Sequence, residues 1–569
     1  MNNIVRYRMN FDLKQVPFSR FGSYFAFSVL DEHRADKKGL YLRTVRGDAG
    51  VKEIFRIDAL HKGKAIPYTT TASPASLKLE TAYGYISVCI SEPKTLRFRG
   101  KGAGMRLTSD NTGGYALKEG NPMWQFNMAA GNIKLMMNPY MGECVVDAPW
   151  NGTGCARAAA DFLPRADSDE FECILEEFES SWEESKVLDD FDTCVARVGD
   201  NFKAWLEKAP PVAEEYGEAR ELAAYINWAS VVDPLGNFKR PSMLMSKNWM
   251  TNVWSWDHCF NAISLYLDID QSWNQLMTIF DNQDQYGALP DYVNNSHKSY
   301  SFCKPPIHGW ALKWLLGRSD KMTGDHLKEI YGPLGRWTRW WFNYRDSDGD
   351  GIPQYNHGND CGWDNSTVFK NTVPVESPDL CAFLIIQTEA LAMVADRLGR
   401  PAEHRMWTEW SEGLLLKLVT ELWDGKRFIA RDANSHQPIE SKSLLTYMPV
   451  ILGRRLPADI IASMVSDLKE EGKFLTAFGF ATESTDSLSY AADGYWRGPI
   501  WAPSTMIIID GLAEAGEIEF VKQIARRFCD MAKKNGMAEN YDALTGEGLR
   551  DRAYTWTSSV FLILANQYL

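Results

Sequence analysis

Two hydrophobic periods run along this chain, and one replaces the other near its first third. From Met1 to about Glu179, apolar residues alternate with polar ones or run in short β-branched stretches, as in Tyr85–Ile90 and Thr95–Arg99. Gly, Pro, Asn and Asp punctuate these stretches at intervals of roughly 8–12 residues. No long helical period interrupts them. The pattern predicts antiparallel strands stacked as a β-sandwich, assigned to residues 1–185. Lys186 to Pro211 predicts a helical crossing that ends at Pro210-Pro211, so residues 186–211 are expected to link two domains.

After Pro211 the period becomes that of a helix. Twelve helices are predicted, over 212–231, 257–268, 270–284, 306–318, 324–345, 377–398, 401–423, 439–452, 457–472, 499–515, 517–535 and 552–568. Gly399 and Pro401 break one pair of them, and Gly516 breaks another. Helices in successive hairpins predict six pairs closed in a ring, an (α/α)6 barrel over 212–569; an irregular helical domain is the alternative. In a ring the loops at one mouth carry the chemistry, because rigid helices position variable loops. The polar, Trp-rich and Gly-rich segments do fall between the helices, at Asn248–Asp257, Gly287–Pro306, Asp346–Pro378, Asp486–Pro503 and Gly536–Tyr554.

Composition narrows the function classes. The 569 residues suffice for two or more domains with full cores, and the net charge of -13 argues against a nucleic-acid partner. No window approaches 18 consecutive apolar residues, and Met1 to Arg8 lacks an apolar leader segment, so no membrane span is expected. The ten Cys form no C-x-x-C pair, which reads as reduced thiols and a cytoplasmic protein. The 21 Trp can be core, or they can be stacking planes for the apolar face of a sugar. Their positions must decide.

Five loop segments carry candidate chemistry. Asp364 follows Gly362-Trp363, and a carboxyl beside an indole is desolvated enough to donate a proton near neutrality; a turn-forming Asp is the plain reading, and it suits Asp360. Glu539 stands in the loop between the last two helices with no basic partner four residues on, and Tyr541 is close by; a solvated loop Glu is the alternative. Asn252-Val-Trp-Ser-Trp-Asp257 offers Trp254 and Trp256 as stacking planes and Asp257 as a hydroxyl acceptor, or else Asp257 caps the next helix. In Gly494-Tyr-Trp-Arg-Gly-Pro-Ile-Trp-Ala-Pro503, Arg497 beside Trp496 could present its fork to sugar hydroxyls or anchor the loop by a salt bridge. Lys304-Pro-Pro-Ile-His-Gly-Trp310 is a rigid turn that sets His308 and Trp310 at a helix start, in the site or in the core.

Taken in order, Trp254-Ser-Trp-Asp257, Pro305-Pro-Ile-His-Gly-Trp310, Gly362-Trp-Asp-Asn365, Tyr495-Trp-Arg-Gly-Pro499 with Trp501, and Glu539-Asn-Tyr-Asp542 resemble the motifs of glycoside hydrolase family 63. That family includes processing α-glucosidases and the mannosylglycerate and glucosylglycerate hydrolases; trehalases are more distantly similar. The resemblance covers about 240–569 and implies an (α/α)6 barrel and hydrolysis with inversion, Asp364 as general acid and Glu539 as general base. It implies an exo-acting α-glucosidase for a small carbohydrate, with Trp254, Trp256, Asp257, His308, Trp310, Trp363, Trp496, Arg497, Trp501 and Tyr541 around the substrate. A mannosylglycerate or glucosylglycerate hydrolase is the alternative. A phosphorylase would need no basic carboxylate, so Glu539 counts against it, and a binding protein would not need both carboxylates.

The chemistry requires no metal. Asp346-Ser-Asp-Gly-Asp-Gly351 nevertheless has the spacing of half a calcium loop, with Asp346, Asp348 and Asp350 as candidate ligands. His357 falls where a standard loop has its bidentate Glu, so either a distant residue closes the loop around calcium or the segment is a polar turn.

Overall fold

The computed structural model describes residue 9 and residues 11–110, 114–120, 122–184 and 189–569. The expected domain boundary at 185/186 and the leader reading of residues 1–8 lie outside them.

The N-terminal part is a β domain of two antiparallel sheets, one of seven strands and one of eight. Alternation along the strands buries one face, as in Leu77–Glu80, where Leu77 and Leu79 are wholly buried. Apolar side chains of both sheets meet in one core: Phe27 packs on Phe98 at 6.2 Å between ring centres, and Phe55 on Phe126 at 5.3 Å.

The expected linker is a docked helix, α1 (Phe191–Lys208). Asp190 caps it by accepting from the Thr193 N–H at 3.0 Å. Phe191, Cys194, Val198 and Phe202, spaced three and four apart, form its buried face against strand Tyr85–Glu92 and the next helix.

The helices that follow are α2 (Gly217–Ser230), α3 (Asp257–Ser264), α4 (Ile269–Thr278), α5 (His308–Arg318), α6 (Gly324–Tyr344), α7 (Pro378–Arg397), α8 (Pro401–Glu421), α9 (Ala458–Leu468), α10 (Ala502–Ala515), α11 (Ile518–Asn535) and α12 (Thr555–Gln567). Ten of the eleven fall within predicted stretches, and α4 begins one residue before its own. The stretch expected at 439–452 is instead a tight 3-10 helix, Leu444–Arg455. Pro449 removes a backbone donor inside it, and Gly453, at φ 50° and ψ −128°, leaves helical geometry altogether.

Packing puts these helices in two layers. α3, α5, α7, the 444–455 helix, α10 and α12 each pack on the next, and α12 returns to α3. The others lie against them: α2 on α12, α4 on α3, α6 and α8 on α7, α9 on the 444–455 helix and α11 on α10. The inner helices are buried on most sides, since both faces are covered, and their polar residues pair with one another, as Ser559 does with Asn261 at 2.9 Å. α7 is the extreme case: it is long and apolar enough to span a membrane by composition, contrary to expectation, yet 89% of its apolar window is buried by its neighbours.

Two buried cations tie the β domain to the helices. Lys247, 2% exposed, directs Nζ to the Ser19 hydroxyl at 3.1 Å and to the carbonyls of Arg20, Ser23 and Val231. Arg43 donates to the Asn248 carbonyl at 2.7 Å. Lys247→Ala strands several buried acceptors, each costing about 1–3 kcal/mol. It is expected to lower the unfolding free energy by at least about 2 kcal/mol in urea melts; an unchanged midpoint would show that Lys247 does not hold the junction.

Candidate active site

The loops that precede the inner helices are stitched to one another by two-residue strands. Val253–Trp254 pairs with Tyr292–Val293, and Ile500 exchanges backbone hydrogen bonds with Tyr541 at 2.7 and 3.0 Å. Asn365 clamps the fourth loop to the third: its Nδ2 donates to the Gly494 carbonyl at 2.9 Å and its Oδ1 accepts from the Trp496 N–H at 3.0 Å. The result is a cavity of about 140 Å³, walled by Trp254, Trp256 and Trp496 and by Asp257, Lys304 and Asp364.

An indole cluster forms the frame. Trp496 stacks on Trp501 at 3.9 Å and on Trp363 at 4.7 Å, while Trp256 and Trp556 pack edge-on at 5.8 Å. Gly362 is required here for two reasons: its φ is +74°, and a Cβ would lie 2.7 Å from the Trp256 ring.

Four carboxyl groups converge on this cavity. Asp257 is 3% exposed and its Oδ1 has no partner, so it does not cap α3 and is free to accept from a ligand hydroxyl. Burial holds its pKa well above the usual carboxylate range, against the opposing charge of Lys304. Asp291 pairs with Lys304 Nζ at 2.8 Å, and that same Nζ donates to the Asn359 carbonyl at 2.7 Å. Asp364 is pushed up to about 6 by burial, again opposed by Lys304. Glu539, 5% exposed, adjoins the cavity without lining it; its N–H donates to the Asp551 carbonyl at 2.7 Å. Burial and the nearby Asp551 push it to about 7, while Arg550 opposes the shift. Its charge reaches Tyr495 and Tyr554, both on the cavity wall.

Asp364 also lines a second cavity, of about 270 Å³, with His357, Lys370 and Arg497. Arg497 is not a structural anchor: among the described residues it forms no ion pair, and its Nε is buried without a partner.

Residues 250–557 match the family model of the mannosylglycerate hydrolase MGH1-like glycoside hydrolase domain. The chain belongs to this family. It is a glycoside hydrolase. A glucosylglycerate hydrolase of Mycolicibacterium hassiacum is 22% identical over 408 residues, 55% of this chain and 91% of that one. The mannosylglycerate hydrolase MGH1 of Selaginella moellendorffii is 21% identical over 390 residues, 54% of this chain and 79% of its own. Among solved structures, the family 63 mannosylglycerate hydrolase of Thermus thermophilus in complex with glucose superposes with a TM-score of 0.53 at 17% identity, covering 60% of this chain and 98% of that one. A bacterial glucoamylase complexed with acarbose gives 0.63 at 14% identity and covers 99% of this chain and 95% of its own, β domain included.

In this hydrolase several residues expected at the substrate stand elsewhere. His308 is wholly buried beside His258, at 5.1 Å between ring centres, and Phe280, at 5.2 Å; it is a core residue that burial keeps neutral. Trp310 donates to Asp510 at 2.7 Å and lines a cavity among α5, α7 and α10 instead. Tyr541 donates its hydroxyl to the Gly536 carbonyl at 2.6 Å, which shapes the turn before Glu539. Trp363 and Trp501 back Trp496 from behind. They stand off the cavity because an aromatic residue in a loop motif can serve as support or as surface, and only packing separates the two.

Lys304, Asp291, Tyr495, Tyr554 and Trp556 are the site residues that sequence reasoning passes over. Lys304 opens the Pro305-Pro306 turn, yet its sequence neighbours are uncharged; of the three carboxylates around it Asp291 lies thirteen residues earlier in the same loop, and Asp257 and Asp364 come from other loops. Tyr495 sits at φ +62°, a strained position that a strained site tolerates.

Part of the acidic loop Asp346–Gly351 is met by the chain's own cations. Asp350 and Glu376 both pair with Arg431, Lys417 reaches the Asp350 carbonyl, and His436 lies 2.7 Å from Asp348. Asp348, Asp350, Glu376 and His436 lie close enough together to hold an ion, and Asp346 Oδ1 and Glu376 Oε1 are buried without a hydrogen-bond partner.

The two raised carboxyls set the pH dependence. In the acid and base roles expected of them Asp364 would be protonated and Glu539 ionised, which is the minor tautomer of the singly protonated pair, since Asp364 lies at about 6 and Glu539 at about 7. The rate of the free enzyme rises as the pair loses its first proton and falls as it loses the second. The profile of kcat/KM is therefore expected to be a narrow bell with limbs near 6 and 7. Lys304 lowers the Asp364 pKa, so Lys304→Met moves the bell upward; an unshifted profile would remove Lys304 from that role.

Proposed function

We propose that this hydrolase is an exo-acting, inverting α-glucosidase for small glucosides, built as a β-sandwich followed by an (α/α)6 barrel. The observation that carries the reading is the position of Asp364 on the wall of both cavities. A group at that border is where a general acid must be, with the terminal sugar on one side and the leaving group on the other. The smaller cavity, with Trp254, Trp256 and Trp496 as apolar planes and Asp257 as hydroxyl acceptor, takes the sugar. Glu539 activates the water.

The second cavity favours a compact acidic leaving group. His357, Lys370 and Arg497 line it, with no acid besides Asp364 itself. A glycerate fits that chemistry, and the relatives named glucosylglycerate and mannosylglycerate hydrolase support it. The ten unpaired thiols support a cytoplasmic setting. Two carboxylates suffice for the reaction, so EDTA leaves the rate unchanged.

A panel of α-glucosides and α-mannosides, glycerate conjugates included, tests the reading by NMR. The β-anomer is expected first from an α-linked substrate, because water attacks the face opposite the leaving oxygen. Asp364→Asn is expected to cost roughly 10²–10⁴-fold on poor leaving groups, and Glu539→Gln to stop hydrolysis with the fold intact. Release of the α-anomer would overturn inversion.

A further inference from the structure

Beside Glu539, at the junction with the β domain, lies a third cleft of about 190 Å³. Five cations line it: Lys14, Arg34 and Lys38 from the β domain, Arg550 and Arg552 from the last loop. Asp31 and Asp551 are its acids, which leaves a local excess of three positive charges in a chain whose net charge is -13. Here Lys14, Arg34, Lys38 and Arg552 form no ion pair among the described residues.

The cleft has a rigid floor. The Asn248 side chain donates to the Gln15 carbonyl at 2.6 Å and to Asp551 at 3.0 Å, which joins the β domain to the catalytic loop. The neighbouring Trp249, 37% exposed, holds the Arg34 guanidinium 3.7 Å from its ring centre and Arg43 at 4.5 Å. Arg34 thus faces the cleft already ordered, and a ligand need not immobilise it.

The cleft is separate from both cavities that share Asp364. Arg550 forms the partition: its guanidinium lies 4.9 Å from the ring centre of Tyr495, on the catalytic wall, and it pairs with Asp493 at 2.6 Å. The leaving group departs on the Asp364 side, away from this cleft.

We propose that this cleft is a second ligand site, built jointly by the β domain and the helical domain, for a small phosphate-bearing molecule. Two unpaired guanidinium forks and two ammonium groups match a dianionic phosphoryl group, which accepts through three oxygens; a lone carboxylate would leave most of the excess charge unanswered. The ligand stands next to the loop that carries Glu539, and Lys14, Arg34 and Lys38 lie outside residues 250–557, which the family model matches.

Calorimetric titration of the full chain at low ionic strength tests this, with inorganic phosphate and D-glycerate as the two probes. Phosphate is expected to bind at one site per chain and more tightly than glycerate. The double variant Lys14→Ala with Arg34→Ala is expected to weaken phosphate ~10-fold or more, with KM and kcat for a neutral α-glucoside unchanged in phosphate-free buffer. Lys14→Arg is expected to retain binding, which separates lost charge from a lost fold. Absence of saturable phosphate binding, indifference to the double variant, or tighter binding of glycerate that the double variant weakens would each overturn the proposal. So would a raised KM for a glycerate conjugate but not for a neutral glucoside in the double variant, because the cleft would then belong to the leaving-group site.

Discussion

One buried ammonium, Lys304, stands among carboxyl groups brought together from four loops, and the site depends on that imbalance. Its charge acts on Asp257, Asp291 and Asp364, and it is 6% exposed. A single cation cannot neutralise three acids and Glu539 besides. Desolvation therefore wins for Asp257, Asp364 and Glu539, whose pKa values all rise. Carboxyls held near neutrality are what acid–base cleavage of a glycosidic bond needs, and the protein obtains them by withholding counter-charges and water.

Such an arrangement is costly to fold, and the surrounding structure carries the cost. The inner helices are buried on most sides, and the indoles of Trp256, Trp363, Trp496, Trp501 and Trp556 interlock at the mouth. Short strand pairs and the Asn365 clamp bind the loops into one frame, so the carboxyls cannot relax apart. The β domain closes one flank through Lys247 and Arg43, whose charges are met almost wholly by backbone carbonyls and hydroxyls. Those carbonyls belong to both domains, so the junction is directional as well as apolar.

Much of this was legible in the residues. The change of period near Pro211 separates strands from helices, because side-chain burial repeats every two residues in one and every 3.6 in the other. Gly and Pro at Gly399, Pro401 and Gly516 mark helix ends through their own backbone preferences. The 439–452 stretch misleads because its pattern is helical while Pro449 removes a backbone donor and Gly453 leaves helical geometry. Asp364 stood out because it follows Gly362-Trp363 in a loop, and Glu539 because it stands in a loop with no basic partner four residues on and Tyr541 close by.

By itself the sequence determined the two periods, the breaks between helices, the loops that carry the chemistry and the chain's two strongest candidate carboxylates. All of these are local properties, set by neighbours along the chain. The tertiary structure decided which members of each motif face the cavity and which support it. His308, Trp310 and Tyr541 became packing, while Lys304, Tyr495 and Trp556 became walls. It also decided that Arg431 answers the acidic loop and that Lys14 and Arg34 meet Arg552 across a domain junction. The physical reason is the same throughout: desolvation and ion pairing depend on distance through space, and residues more than a hundred positions apart are brought together only when the helices close on one another.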